Sequence, residues 1–421
     1  MTPERLALQF VLQLIVILAA CQLLGVLMRR LSQPHVIAEI AAGVLLGPSF
    51  LGLFWPDLAH AIFPPASMGL LQPVAQLGLT LYMFVIGLEF RTDVLGEHRR
   101  AALAVSTAGV AVPFALGAGL GWVLYAHTQL FPPRTPLPDA MLFLGASMCI
   151  TAFPVLARII RHKNLGGTEM GTISLAAGAL GDAVAWGLLA VVLASLDGNI
   201  SHAAVNIGAG LAYVLVVLGV VRPLLARRAV VITARGHLSE TEMALALLLM
   251  LMGAWCTDHI GLHAVLGAFV MGAAMPRGLV TDTLIARIEP LDAALLLPLF
   301  FTSSGLNTQL TLLDSGRLWL IAALILVVAI LGKVVACGLA ARATGIGARP
   351  ALGIGILMNA RGLMELIILN IGLQRGIITP SLFAALVVMA VLTTVMTSPV
   401  FDWLVAREHI WPRPIADDDT R

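Results

Sequence analysis

Residues 174–196 read SLAAGALGDAVAWGLLAVVLASL, an apolar run long enough to cross a bilayer with one carboxylate, Asp182, inside it. A hydrocarbon core about 30 Å thick needs about 20 apolar residues in helical form. An ionisable group at that depth costs roughly 2.5–3.5 kcal/mol even on the lenient insertion scale, so it faces a water-filled cavity, a partner charge or an ion. The stretch therefore predicts a membrane helix that handles something charged.

Outward from this run, similar stretches recur along all 421 residues, 59% of them hydrophobic and 11% charged. A soluble domain carries about a quarter charged residues. The composition predicts an all-α polytopic membrane protein with thirteen spans, near 6–28, 36–54, 67–89, 101–126, 137–160, 169–195, 203–223, 241–257, 261–276, 290–307, 316–341, 349–372 and 380–404. One membrane domain, residues 1–404, fills the chain, and 405–421 reads as a short cytoplasmic tail. With the N-terminus outside, nineteen of the 25 Lys and Arg fall in inward loops, four fall outside, and Lys333 and Arg361 lie within spans. That is the positive-inside bias, and it predicts a multi-pass protein of a bacterial-type inner membrane with a cytoplasmic C-terminus. The first apolar stretch lacks a basic n-region and a cleavage site, so it reads as a retained helix.

The four cysteines, Cys21, Cys149, Cys256 and Cys337, have no CxxC spacing and read as small buried hydrophobes, with no disulfide or metal framework. No phosphate loop or nucleophile–base constellation points to an enzyme, no cofactor is implied, and membrane orientation explains the arginines without nucleic acid.

Two spans carry helix breakers. Pro154 falls within span 137–160, where it removes a backbone donor and crowds the carbonyl four residues back. Span 349–372 combines Gly353, Gly355 and Gly362 with Asn359, Arg361 and Glu365. Each is fifth in a group of six when residues of about 6–195 and 241–404 are taken as halves and 203–223 as a linker span. The halves then enter the membrane from opposite sides, the inverted repeat of secondary transporters, in which paired discontinuous helices mark the site.

The site residues follow from chemistry. Asp182, flanked by Gly178, Gly181 and Ala183, has room for water or a dehydrated ion, and its carboxylate takes either a proton or a monovalent cation. If only a neutralised site crosses the low-dielectric barrier, the two guests compete and exchange results. A structural pairing of Asp182 with Lys333 or Arg361 is the bland alternative. Lys333 is deep in its span, although a long stem can snorkel. Arg361 and Glu365, spaced i,i+4, share a helix face and read as an ion pair bracing the broken helix. Asn359 offers carbonyl and amide to the break. Glu39 is expected to cap a helix or to pair with Arg29 or Arg30.

Four stretches carry a resemblance: 34–49 (PHVIAEIAAGVLLGPS), 84–89 (FVIGLE), 151–158 (TAFPVLAR) and 359–366 (NARGLMEL). Together they resemble the monovalent cation:proton antiporter superfamily, in particular its second branch of potassium-efflux antiporters and plant-type cation/H⁺ exchangers, over residues 10–404. The resemblance implies a sodium/proton-antiporter-like fold with two crossed discontinuous helices, a homodimer in which one bundle forms the interface and the other moves, and protons with Na⁺ or K⁺ as substrates. It assigns ion and proton binding to Asp182, with Thr151 and freed carbonyls supplying further oxygens. Where members have two carboxylates, this chain has Gly181 and Asp182. The first carboxylate is replaced by Gly181, and Lys333, which looks like its lysine partner, is left without it. One cation for one proton, without net charge movement, is the implied stoichiometry. The lost carboxylate leaves open a carrier of an organic solute on the same scaffold, and a channel-like or non-transporting protein is the third class.

Overall fold

The computed structural model describes residues 2–30, 35–90, 95–196, 200–262, 264–306, 313 and 315–405. Of the expected tail 405–421, Val405 ends the last helix and 406–421 lie outside the described residues. Among the described residues every regular element is helical. In chain order they are α1 (Pro3–Arg30), α2 (His35–Leu46), α3 (Leu51–Phe54), α4 (Pro56–Ile62), α5 (Pro65–Glu89), α6 (Leu95–His127), α7 (Leu137–Cys149), α8 (Phe153–His162), α9 (Glu169–Leu196) and α10 (Ile200–Val216). They continue as α11 (Arg222–Arg235), α12 (Glu240–Ile260), α13 (Ala264–Ala274), α14 (Leu279–Leu291), α15 (Leu297–Leu306), α16 (Gly316–Ile330), α17 (Ala336–Ala343), α18 (Ala348–Met358), α19 (Leu363–Gln374) and α20 (Pro380–Val405). Wider π turns join α10 to α11, α14 to α15, and α16 to α17.

Among the described residues, eight helices, not thirteen, are long and apolar enough to cross a membrane: Glu4–Arg30, His35–Phe54, Pro65–Glu89, His98–His127, Ala204–Arg235, Glu240–Ile260, Gly316–Ala343 and Pro380–Leu404. The expected spans at 137–160 and 349–372 are each split in two, and α7, α13 and α18 are apolar but short. The breaks account for two of the five expected spans that are not among the eight, 137–160 and 349–372; of the others, 261–276 holds the short α13, 290–307 holds the end of α14, a π turn and α15, and 169–195 is the 28-residue α9.

The chain forms two compact units. The first comprises residues 1–23, 41–91 and 193–307. Its core gathers Phe84, Leu88, Met250, Ala268 and Met271 from α5, α12 and α13. Gly87 of α5 lies so close to α13 that a Cβ would sit 2.2 Å from the Phe269 carbonyl oxygen, the close helix approach that small residues allow in lipid.

The second unit comprises residues 24–40, 92–192 and 308–421, and all nine candidate residues belong to it. Here α7 stops at Cys149, Ile150–Ala152 are non-helical, and α8 begins at Phe153. Pro154 therefore does not kink a continuous helix. It sits in the first turn of α8, where its missing N–H has no helical partner to lose and its fixed φ suits helix initiation. The second break runs from Asn359 to Gly362, between α18 and α19.

Candidate functional site

The two breaks meet. The Ala152 N–H donates to the Ala360 carbonyl across 3.1 Å, joining the interruptions backbone to backbone. Gly362 permits this approach, since a Cβ there would lie 3.0 Å from both Ala152 Cβ and Val155 Cγ2. The Thr394 hydroxyl of α20 accepts from the Arg361 N–H at 3.1 Å and also lies against the Arg361 carbonyl. This one side chain holds the extended backbone of the second break in place.

A helix that ends inside a membrane protein exposes carbonyls with no intrahelical donor and carries roughly half a negative charge at its C-terminal end. At α7 two buried cations meet that end. Arg361 donates from Nη1 to the Ser147 carbonyl at 3.3 Å and from Nη2 to the Met148 carbonyl at 2.8 Å. Lys333 donates from Nζ to the Cys149 carbonyl and, at 2.6 Å, to the Gly109 carbonyl of α6. Gly109 needs this donor because the residue four positions on is Pro113, which has no N–H to offer. Lys333 itself lies on the π turn at Leu331–Val335, a geometry often found at functional positions.

The lysine is fully buried and does not snorkel. Pro113 was the sequence signal for its partner. A proline inside a long apolar helix frees a specific carbonyl, but which side chain answers it depends on tertiary packing.

Arg361 also approaches Glu365, Nη1 to Oε1 at 3.5 Å, as the i,i+4 spacing predicts. The shorter guanidinium contact is to the Met148 carbonyl, so bracing the first broken helix is at least as much its task as pairing with Glu365. Glu365 is completely buried, and its Oε2 accepts no hydrogen bond among the described residues.

Asp182 is buried on α9. One turn earlier, Gly178 packs against α8, where a Cβ would stand 2.7 Å from Leu156 Cδ2 and 3.3 Å from Phe153 Cδ2. This brings the Asp182 region of α9 alongside the first turn of α8. Among the described residues Oδ1 of Asp182 accepts no hydrogen bond and Arg361 Nε has no acceptor, while Lys333 Nζ and the two Nη atoms of Arg361 donate to backbone carbonyls and to Glu365. The structural pairing of Asp182 with either cation does not form. An isolated buried carboxylate is costly as an anion, and a proton or a cation relieves that cost.

Gly181, next to it, faces α6. A Cβ there would be 3.7 Å from Ser106 Oγ and 3.9 Å from Val110 Cγ2, ordinary contact distances.

Thr151 is buried in the first break and donates weakly to the Met358 carbonyl at 3.5 Å. Asn359 is buried at the second, and its Oδ1 accepts no hydrogen bond among the described residues. Glu39 departs from expectation. Among the described residues its ion pairs are not those expected with Arg29 or Arg30: it receives Arg158 Nη1 of α8 on Oε2 at 2.7 Å and meets His35 Nδ1 on Oε1 at 3.0 Å. A charge on the second half of the broken helix thus partners Glu39 across 119 residues of sequence.

Two discontinuous helices meeting near a buried, unpaired carboxylate define the class of secondary transporters. The chain belongs to the sodium/hydrogen exchanger transmembrane family, whose sequence profile matches residues 14–407, and thus to the monovalent cation:proton antiporter superfamily. It is 37% identical to the Na(+)/H(+) antiporter NhaS4 of Synechocystis over 390 residues, covering 92% of this chain and 95% of that protein. It is also 37% identical to Cation/H(+) antiporter 17 of Arabidopsis thaliana over 93% of this chain, of which it spans about half, 47%. The sodium proton antiporter MjNhaP1 of Methanocaldococcus jannaschii shares the fold, with a TM-score of 0.58 at 16% identity, over 94% of this chain and 97% of that one.

Proposed function

We propose that this protein is a secondary active antiporter that exchanges a monovalent cation, Na⁺ or K⁺, for a proton by alternating access at Asp182. The observation that carries this reading is the Asp182 carboxylate, buried on α9 with Oδ1 unsatisfied among the described residues, while Lys333 and Arg361, the two cations within expected spans, donate to backbone carbonyls. Each guest neutralises the carboxylate, and the two exclude one another. Thr151 is assigned as an oxygen ligand. Lys333, Arg361, Glu365, Asn359, Pro154 and Gly181 shape and charge the breaks, and Glu39 ties α2 to α8.

Family membership supports the activity, as do the relatives' names: Na(+)/H(+) antiporter NhaS4, K(+)/H(+) antiporter 1 of Saccharomyces cerevisiae and the Na(+)/H(+)-K(+) antiporter GerN of Bacillus cereus. The five plant cation/H(+) antiporters among the relatives support the second branch of the superfamily. We assign residues 1–404 to one exchanger domain of thirteen spans, counting broken and short helices, with inverted repeats at about 6–195 and 241–404 around a linker span at 203–223. The same reading makes it a homodimer of a bacterial-type inner membrane with its N-terminus outside.

Exchange is electroneutral in this proposal. Lys333 keeps its donors on two carbonyls throughout, so a single carboxylate alternates between one proton and one cation. The direct test is cation-driven dissipation of a pH gradient in sealed proteoliposomes, with Na⁺, K⁺, Rb⁺ and Li⁺ offered in turn. Wild-type protein collapses the gradient with Na⁺ or K⁺, and Asp182→Asn does not while keeping its elution volume and unfolding midpoint. Coupled exchange at the wild-type rate in that variant removes Asp182 from the site.

A further inference from the structure

Arg361 and Glu365 are spaced as an ion pair, but the pair is only half made. A full guanidinium–carboxylate pair is short, about 2.7–2.9 Å, and often two-pronged. Here a single contact, Nη1 to Oε1, spans 3.5 Å, while Arg361 Nε and Glu365 Oε2 are both without a partner among the described residues. The guanidinium makes its shorter bonds, 2.8 Å and 3.3 Å, to the Met148 and Ser147 carbonyls at the end of α7. Both side chains are completely buried.

Little else compensates the carboxyl group. Lys333 and the Cys149 thiol act on it electrostatically, but the Lys333 ammonium is bonded to the Gly109 and Cys149 carbonyls. The rest of α19 carries no titratable side chain. Of the helices packed against it, α7 has Asp139 and Cys149, and α20 has Asp402, whose carboxylate is paired with Lys163 at 2.5 Å.

A buried carboxylate with so little compensation is costly as an anion and is relieved by taking a proton. Once it is neutral, the guanidinium is left to serve α7. Once it is charged, it draws the guanidinium from 3.5 Å toward the about 2.8 Å of a full pair, away from the α7 carbonyls. We propose that Glu365 is a second proton-binding group of the exchanger, a positioning residue whose proton decides whether Arg361 braces the end of α7 or closes onto the carboxylate. This rests on the proposed exchange at Asp182 and adds a controlling proton to it. That proton, taken from water and returned to it, is not the one traded for the cation. Transport therefore slows as pH rises through the titration of Glu365, because the brace on the first broken helix is lost.

The test is tracer exchange of Na⁺ for Na⁺, or K⁺ for K⁺, in proteoliposomes with the cation saturating and the pH equal on both sides. Asp182 then stays loaded with the cation, so its own proton does not limit the rate and any pH dependence reports another group. Wild type is expected to slow about 10-fold or more from the acid to the alkaline end of a pH series. Glu365→Gln, uncharged at every pH, is expected to lose this dependence and to exceed wild type at the alkaline end. A pH-independent wild type, or a Glu365→Gln variant that keeps the wild-type slope, overturns the role of Glu365 and leaves Asp182 in place. Asp182→Asn is expected to show no tracer exchange. Wild-type tracer exchange in that variant instead overturns the underlying assignment of Asp182, so the two failures are distinguishable. Should Glu365→Gln fail to fold, infrared spectra of protein carrying ¹³C-labelled glutamate decide the matter. A carboxylic-acid band is expected that shifts with the label, titrates over the pH range in which the wild-type rate falls and persists in Glu39→Gln; its absence overturns the proposal.

Discussion

Lys333 donates to the Gly109 carbonyl at 2.6 Å, the acceptor that Pro113 leaves without a helical donor. A fold that places a proline in one membrane helix thus fixes a lysine on another. An unsatisfied buried polar group costs about 1–3 kcal/mol, and Lys333 serves two such carbonyls. Lys333→Met is therefore expected to destabilise the protein by about 2–5 kcal/mol. Adding Pro113→Ala, which restores an N–H to Gly109, recovers about 1 kcal/mol. Unfolding midpoints of the two single variants and the double variant measure this coupling, and strictly additive effects refute it.

Arg361 forks to two carbonyls of α7, a geometry suited to a planar guanidinium. A lysine keeps the charge but reaches as a single point. Arg361→Lys is expected to lower the exchange rate about 10- to 100-fold, since displacement of a site by about 1 Å is enough for such a loss. Initial rates of gradient collapse at saturating cation report it. Near-wild-type turnover in the lysine variant means that charge alone suffices.

Glu39 is completely buried and holds Arg158, which is largely buried, at 2.7 Å. Removing one member of such a pair strands the other. Glu39→Gln is expected to cost about 1–3 kcal/mol, discounted for the residual exposure of Arg158. The double variant Glu39→Gln/Arg158→Met is expected to be more stable than Glu39→Gln alone. Thermal unfolding in detergent separates the two outcomes.

Gly181 leaves ordinary contact distance for a Cβ beside Ser106 and Val110. Wild-type flux at zero pH gradient is expected to ignore an imposed potential, and Gly181→Asp, which adds a second carboxylate, to make flux follow it. One charge moved through 100 mV is worth about 2.3 kcal/mol, so the contrast is measurable with voltage set by an ionophore. A voltage-dependent wild type contradicts electroneutral exchange.

Hydropathy and breakers in the sequence determined the membrane class and the two interrupted segments, and singled out Asp182 as a carboxylate in an apolar run, because each is a local property of composition along the chain. Pro154 marked an interrupted segment, and it stands in the first turn of α8, where its missing N–H has no helical partner to lose. Tertiary structure alone decided the partners. The i,i+4 rule found Arg361 and Glu365, but no spacing rule links Arg361 to Ser147, 214 residues away, or Lys333 to Gly109, 224 residues away. Nor could sequence assign Glu39 to Arg158 over Arg29 and Arg30, or bring Lys333 and Arg361 together at the end of α7. Those outcomes depend on which helix ends meet in three dimensions, and a backbone carbonyl released by a break carries no side-chain signature by which sequence could name its donor.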